Sequence, residues 1–306
     1  MIQYYRSTKS NPKLTAVGEY RAGDWIRVER PNEEEAAFLA QLGIDADILT
    51  DALDPHEVPR IEYDDGWTYF ITRVPDIGDD FNDFTTPIMF ATDGKSEVTI
   101  SRDQLGRLWQ PFIEQATVVT SDVSTLFILM MERVCKTYEN RVAFINRQMR
   151  AVTNDLERLR PKDIATIVDY ERKLNDYLDA LIPTNTAIEK TLVSKRLIKL
   201  TEDDKELVED LSVDFEQLIT RCKSLLRTIT NVRDSYRAVM DTRLNETMRV
   251  LTVATLSLTI PTMLAGLFGM NVHFPFNAES DLPFWMIILF SITAAFTISY
   301  YFLKKR

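Results

Sequence analysis

Along most of the chain apolar and polar positions alternate over short distances, but two stretches near the C-terminal end do not. After Arg249 no Asp, Glu, Lys or Arg occurs until Glu279, and a second uncharged run covers Leu282 to Leu303. At ~1.5 Å rise per residue, positions 250–268 alone reach across a hydrocarbon layer of roughly 30 Å. Both runs are expected to span a membrane as helices. Phe284, Trp285, Tyr300 and Tyr301 fall near the ends of the second, where amphipathic rings settle at the interfaces.

Upstream, Leu126, Ile128, Met130, Val134, Val142, Ile145 and Met149 recur among charges, which predicts a long amphipathic helix over 122–158. Pro161 and Pro183 punctuate the next stretch of chain. Thr201-Glu202-Asp203-Asp204 carries the signature of a helix cap, and from there to Phe268 nothing breaks the pattern except Pro261 inside the first span. At ~1.5 Å per residue this stalk helix would be on the order of 100 Å long. The first 119 positions are mixed instead. Strands are expected at 25–29, 67–72, 87–91 and 97–100, separated by Asp-Gly and Pro turn signals, and a capped helix at 33–42 after Pro31-Asn32.

These patterns divide the chain into an α/β domain (1–119), helices (120–200), a stalk helix (201–249), a first span (250–270), a loop (271–281), a second span (282–303) and a basic tail (304–306). Arg237, Arg243 and Arg249 precede the first span and Lys304, Lys305 and Arg306 come after the second. The loop holds Glu279 and Asp281 with no Lys or Arg. By the positive-inside tendency both termini are expected in the cytoplasm. Met1-Ile2-Gln3 opens no apolar targeting stretch, and the spans come too late for a cleaved signal.

The first span is not uniformly apolar. Asp234, Asp241, Asn245, Met248, Thr252, Thr255, Thr259, Thr262, Gly266 and Gly269 share one stripe at about 100° per residue. Val250, Val253, Leu256, Ile260, Met263, Leu264 and Leu267 take the remainder. Polar groups at this depth must face protein or water, so the stripe fits a water-filled pore. The alternative is that small and Thr residues let helices pack closely, each hydroxyl bonded back to its own helix. The continuation of the stripe into Asn245, Asp241 and Asp234, outside the membrane, favours the pore. Two spans cannot enclose a channel, so a pore requires several copies, most naturally in a cyclic ring. Gly269-Met270-Asn271 would then supply neutral oxygens suited to hydrated Mg²⁺, which parts with its water reluctantly.

The Gly269-Met270-Asn271 signature between two terminal spans, with Asn245-Glu246-Thr247-Met248-Arg249-Val250-Leu251-Thr252 and Pro261-Thr262 upstream, resembles the CorA magnesium channels. The resemblance implies an α+β membrane protein forming a funnel-shaped homopentamer. It would take up Mg²⁺, with Co²⁺ and Ni²⁺ as further passengers. By position, Gly269, Met270 and Asn271 become the selectivity filter, and Thr252, Thr255, Thr259, Thr262 and Gly266 the pore lining. Met248 and Leu251 match the apolar gate, with Asn245 the polar ring beside it and Asp234 and Asp241 the acidic rings at the cytoplasmic end. Regulation by Mg²⁺ bound between subunits is implied as well. Counting back ungapped from Gly269 puts Asp210 at the sensor carboxylate, with Asp83, or its neighbours Asp76, Asp79 and Asp80, as the choice of partner. Segment 54–62 also resembles the family's cytoplasmic domain. The chain departs from many relatives in continuing Val272-His273-Phe274-Pro275-Phe276, which leaves the acidic attraction of the loop to Glu279 and Asp281.

Composition adds exclusions. A net charge of −10 argues against a nucleic-acid partner and agrees with divalent cations or a solvated acidic surface. Cys135 and Cys222 lack ligand spacing and read as reduced thiols, and His56 has no His or Cys near it and reads as a turn residue. No nucleotide loop, nucleophile motif or metalloprotease motif occurs, so neither an enzyme nor an organic cofactor is expected. Two rival readings remain: a zinc transporter of the related ZntB type, which typically carries Gly-Ile-Asn, and a membrane-anchored coiled-coil scaffold without a pore.

Overall fold

Strands buried on both faces need a helix layer on each side, and this chain supplies both. In the computed structural model, which describes residues 1–75, 85–153, 159–194, 197–270 and 282–304, seven strands form one sheet. They are β1 (Ile2–Thr8), β2 (Asn11–Val17), β3 (Trp25–Glu29), β4 (Arg60–Asp64), β5 (Trp67–Pro75), β6 (Thr85–Thr92) and β7 (Glu97–Ser101). Their order is β2-β1-β3-β7-β6-β5-β4, antiparallel except for the parallel pair β3 and β7. The central strands β3, β6 and β7 are buried throughout, whereas the edge strands β2 and β4 are half exposed. Asp65 and Gly66, both at positive φ, close the β4–β5 hairpin in two residues.

One face carries α1 (Glu33–Gln41) and α2 (Ala46–Ala52), whose Leu39, Ile48 and Leu49 pack with Ile26, Val28, Ile71, Met89, Val98 and Ile100. Helix α1 starts where expected, on a reciprocal cap between Asn32 and Glu35. The other face carries α3 (Gly106–Gln115), α4 (Val123–Thr153) and α5 (Pro161–Val193). There Trp25, Trp109, Phe112, Phe90, Phe127 and Phe70 form an edge-to-face cluster. Positions 154–158, predicted as the end of α4, lie outside the described residues. Pro161 does open α5, but Pro183 does not interrupt it. The carbonyl that Pro183 leaves without an amide belongs to the exposed Asp179, where water can satisfy it.

The long helix α6 runs Glu202–Phe268 and α7 runs Leu282–Lys304. The chain divides into two compact units, Met1–Val232 and Arg233–Arg306. Within the first, α6 buries Val208, Leu211, Phe215, Leu218, Cys222, Leu225, Ile229 and Val232, steps of three and four that make one apolar seam. Asp204 anchors the start of α6. Its carboxylate accepts from Thr201 N (2.9 Å) and from the hydroxyls of Ser124 and Thr125 at the start of α4 (3.0 and 3.3 Å). Burial pushes this carboxyl up, but those bonds outweigh it and hold it below the usual carboxylate range.

Glu97 departs from the general rule for buried acids. It is fully buried on β7 between Trp25 and Thr92, and neither carboxyl oxygen has a hydrogen-bond partner among the described residues. Burial drives its carboxyl well above the ordinary range, and the charge of Asp93 adds to the rise. The folded chain therefore holds a proton that the unfolded chain releases. Stability should be unaffected below the ordinary carboxylate range and fall as pH climbs above it toward the folded value, by at most about 1.4 kcal/mol per pH unit. Glu97→Gln should flatten this slope and raise the unfolding midpoint at neutral pH, measured on the full chain in detergent. Parallel pH profiles for the two proteins would contradict it.

Candidate ion-conduction site

In the second unit the stripe and its surroundings become geometry. On α6, Val253 is buried and Ser257, Ile260, Leu264 and Phe268 are partly covered, while on α7, the other helix of this unit, Ser291 is buried. At about 100° per residue these α6 positions share one side. Thr252, Thr255, Thr259, Thr262 and Gly266 fall on the opposite side and are open to the surroundings of the helix. The stripe is thus not what α6 uses to meet α7. A Cβ added at Gly266 would meet nothing within 4 Å, so its own chain does not require a glycine there.

Each stripe hydroxyl is bonded back to its helix. Thr252 donates to Met248 O, Thr255 to Leu251 O, Thr259 to Thr255 O and Thr262 to Leu258 O, at 2.8, 2.9, 2.8 and 2.8 Å. This fulfils one part of the packing alternative, and Ser291, Thr293 and Thr297 of α7 do the same, so back-bonding does not tell the two faces apart. It does fix polarity. With its proton spent inward, each threonine presents only oxygen lone pairs outward, which attract cations and repel anions.

Below the stripe, Met248 and Leu251 are 53% and 60% exposed, high for large apolar side chains with charged neighbours close by in sequence. Asn245 and Asp241 are exposed on the same line. Asp234 meets a loose ion pair with Arg237 at 3.9 Å. Above the stripe the helix ends with Gly269 N on Ala265 O (3.0 Å) and Met270 N on Leu267 O (3.4 Å). Asn271, Glu279 and Asp281 lie outside the described residues. Arg249, whose role in the sequence pattern is its charge alone, donates from Nη2 to the backbone oxygen of Phe302 on α7.

The expected sensor is less complete. Asp210 is exposed on α6, its intended partner Asp83 lies outside the described residues, as do Asp76, Asp79 and Asp80, and no group of three His, Cys, Asp or Glu able to hold a metal occurs among the described ones. Asp210 offers the hard oxygen that Mg²⁺ prefers but not a ligand set by itself. His56 sits exposed in a turn. A cavity of about 610 Å³ between α3, α4 and α6, lined by Glu132, Glu139 and Asp214, is not legible in the sequence, because Asp214 and the α3 wall come from positions distant from the two glutamates of α4. Burial and then the charge of Asp214 raise the Glu132 carboxyl.

The profile of the family described as CorA-like Mg²⁺ transporter protein matches residues 21–306. The chain belongs to this family. The cobalt/magnesium transport protein CorA of Methanocaldococcus jannaschii is 25% identical over 96% of this chain and 94% of its own. The complete structure of the CorA magnesium transporter from that organism superposes with a TM-score of 0.84 at 20% identity, covering 100% of this chain and 98% of the other. The ZntB cytoplasmic domain from Vibrio parahaemolyticus gives 0.66 at 12% identity over 78% of this chain and 98% of its own, a likeness of fold. The CorA-type architecture of an N-terminal α/β part, a long helix and two candidate C-terminal membrane helices is therefore present.

Cysteine scanning tests which face of α6 meets water. Cys135 and Cys222 are buried with thiols pushed up by burial to about 12, so they should stay silent toward water-borne thiol reagents. Single cysteines at Thr252, Thr255, Thr259 or Thr262 should react in the membrane-embedded protein, and those at Val253 or Leu264 should not. Equal reaction on both sides, or none at the threonines, would remove the pore.

Proposed function

We propose that this chain is one subunit of a homopentameric divalent-cation channel in the cell membrane. Its termini lie in the cytoplasm, and it admits Mg²⁺, with Co²⁺ and Ni²⁺ as further passengers. The observation that carries this reading is the face of α6 turned away from α7, a file of outward threonine oxygens continuous with Leu251, Met248, Asn245, Asp241 and Asp234. Helix packing in lipid does not call for the continuation of that file into acids outside the membrane, whereas around a shared axis the whole file becomes the wall of a wet path.

In this path Gly269, Met270 and Asn271 form the outer filter and hold the ion through its water shell. The threonines carry it inward, Met248 and Leu251 form the narrow apolar level, and Asn245, Asp241 and Asp234 receive it below. An inside-negative membrane potential supplies about 2.3 kcal/mol per elementary charge per 100 mV, so a divalent ion gains roughly twice that. Cytoplasmic Mg²⁺ closes the path by bridging Asp210 of one subunit to carboxylates of the next. Asp210 is exposed and offers such a site one hard oxygen donor. The alternative with an observation behind it is zinc transport, supported by the fold likeness to the ZntB domain and opposed by Met270 where that type typically carries Ile.

Reconstituted in liposomes, the protein should pass Mg²⁺ under an inside-negative potential without a proton gradient. Asn271→Ala should reduce influx at least about tenfold, the loss of roughly one charge-assisted contact. Zinc flux that needs a proton gradient, with no Mg²⁺ flux, would assign the ZntB type, and influx indifferent to Asn271 would remove the filter. Asp210→Ala should leave influx open at internal Mg²⁺ levels that block the unaltered protein; unchanged block would dismiss Asp210 as sensor.

A further inference from the structure

Arg249 lies in sequence between Met248 and Leu251, the pair assigned above to the narrow level, yet it leaves α6 on another side. At about 100° per residue it falls with Val253 and Leu264, not with Thr252 and Thr255. Its guanidinium Nη2 reaches the backbone oxygen of Phe302, 53 residues away, in the last turn of α7. Carbonyls there have no amide from a following turn, and the end of a helix carries partial negative charge that a cation relieves. Lys304, in the same turn, serves its own helix. Its ammonium donates to the Tyr300 hydroxyl at 2.9 Å and lies 5.1 Å from that ring's centroid. The oxygen of Phe302 is therefore met from α6.

We propose that Arg249 is a positioning residue that straps the narrow level of α6 to the C-terminal end of α7, so that Met248 and Leu251 keep their inward placement while that bond holds. The proposal rests on the channel reading above. Arginine suits the task because its charge is permanent and its planar fork directs several donors from a long stem. Nothing in local helix geometry imposes a contact across this sequence separation. Because α7 stands outside the conduction path, a displacement of its last turn reaches the narrow level through Arg249 without any part of α7 touching the ion.

The test uses the full chain in proteoliposomes with Arg249→Gln, Arg249→Lys and Phe302→Ala. One readout is residual Mg²⁺ influx at internal Mg²⁺ that blocks the unaltered protein. The other is hydrogen–deuterium exchange in the last turn of α7. Arg249→Gln should raise residual influx roughly two- to tenfold, the range expected for losing a charged bond to a helix end, and speed exchange in that turn. Arg249→Lys, which keeps the charge and a donor, should fall between. Phe302→Ala, which keeps the carbonyl, should match the unaltered protein in both. Unaltered values for Arg249→Gln in both readouts would overturn the strap. So would changed influx with unchanged exchange, which assigns Arg249 to the headgroup layer. Should Arg249→Gln fail to assemble, Arg249→Lys decides by the same two measurements. An unaltered protein that passes no Mg²⁺ sinks the channel reading, while exchange still reports on the strap.

Discussion

Hydrocarbon offers no hydrogen-bond partner, and that constraint orders the membrane unit. The threonines between Thr252 and Thr262 on the exposed face of α6 have each spent their proton on their own helix. A hydroxyl so bonded is tolerable in lipid, so threonine alone does not demand water. What packing in lipid does not require is the continuation of the same line, outside the membrane, into Asn245, Asp241 and Asp234. The proposed aqueous path uses that line along its whole length.

The first unit solves a different problem with similar means. Its sheet is buried on both faces, by α1 and α2 on one side and by α3, α4 and α5 on the other. Asp204 joins the start of α6 to the start of α4 through two hydroxyls, a polar joint held by hydrogen bonds from both helices. Glu97, by contrast, is a buried acid with no bonds, tolerable only because it keeps its proton. Whether a buried carboxyl stabilises or costs thus turns on the donors around it more than on its depth.

The elements legible in the sequence are those with clear boundaries. The four central strand segments are short β-prone runs between turn signals, the helix at 33–42 carries a cap at Asn32, and the run from Thr201 to Phe268 starts on a cap and holds no breaker but Pro261. Strands β1, β2 and β4 escape because two of them are edges, half exposed and with charged or polar residues on both faces, and β2 contains Pro12. Helix α2 has only seven residues, and α3 starts without a side-chain cap and contains Pro111, so neither carries a clear start signal and an unbroken run together. Pro183 lies inside α5 without ending it, and the carbonyl it deprives of an amide, that of exposed Asp179, is open to water.

In the candidate site, sequence can assign residues to a face of α6 but not say what that face meets. Periodicity treats a stripe buried against α7 and a stripe pointing away from it as identical patterns. The burial of Val253 and Ser291 breaks the tie, because a helix with one covered side must leave the other for a different neighbour. Arg249 is invisible for the same reason. A basic residue at a membrane border fits the positive-inside pattern wherever it points, and only the oxygen of Phe302 reveals that this one reaches across to another helix. A charge at that level thus counts toward orientation by its sign and toward the alignment of α6 with α7 by its direction. The second contribution requires a particular acceptor, whereas the first does not, which is why replacing the charge and replacing the fork are physically different operations.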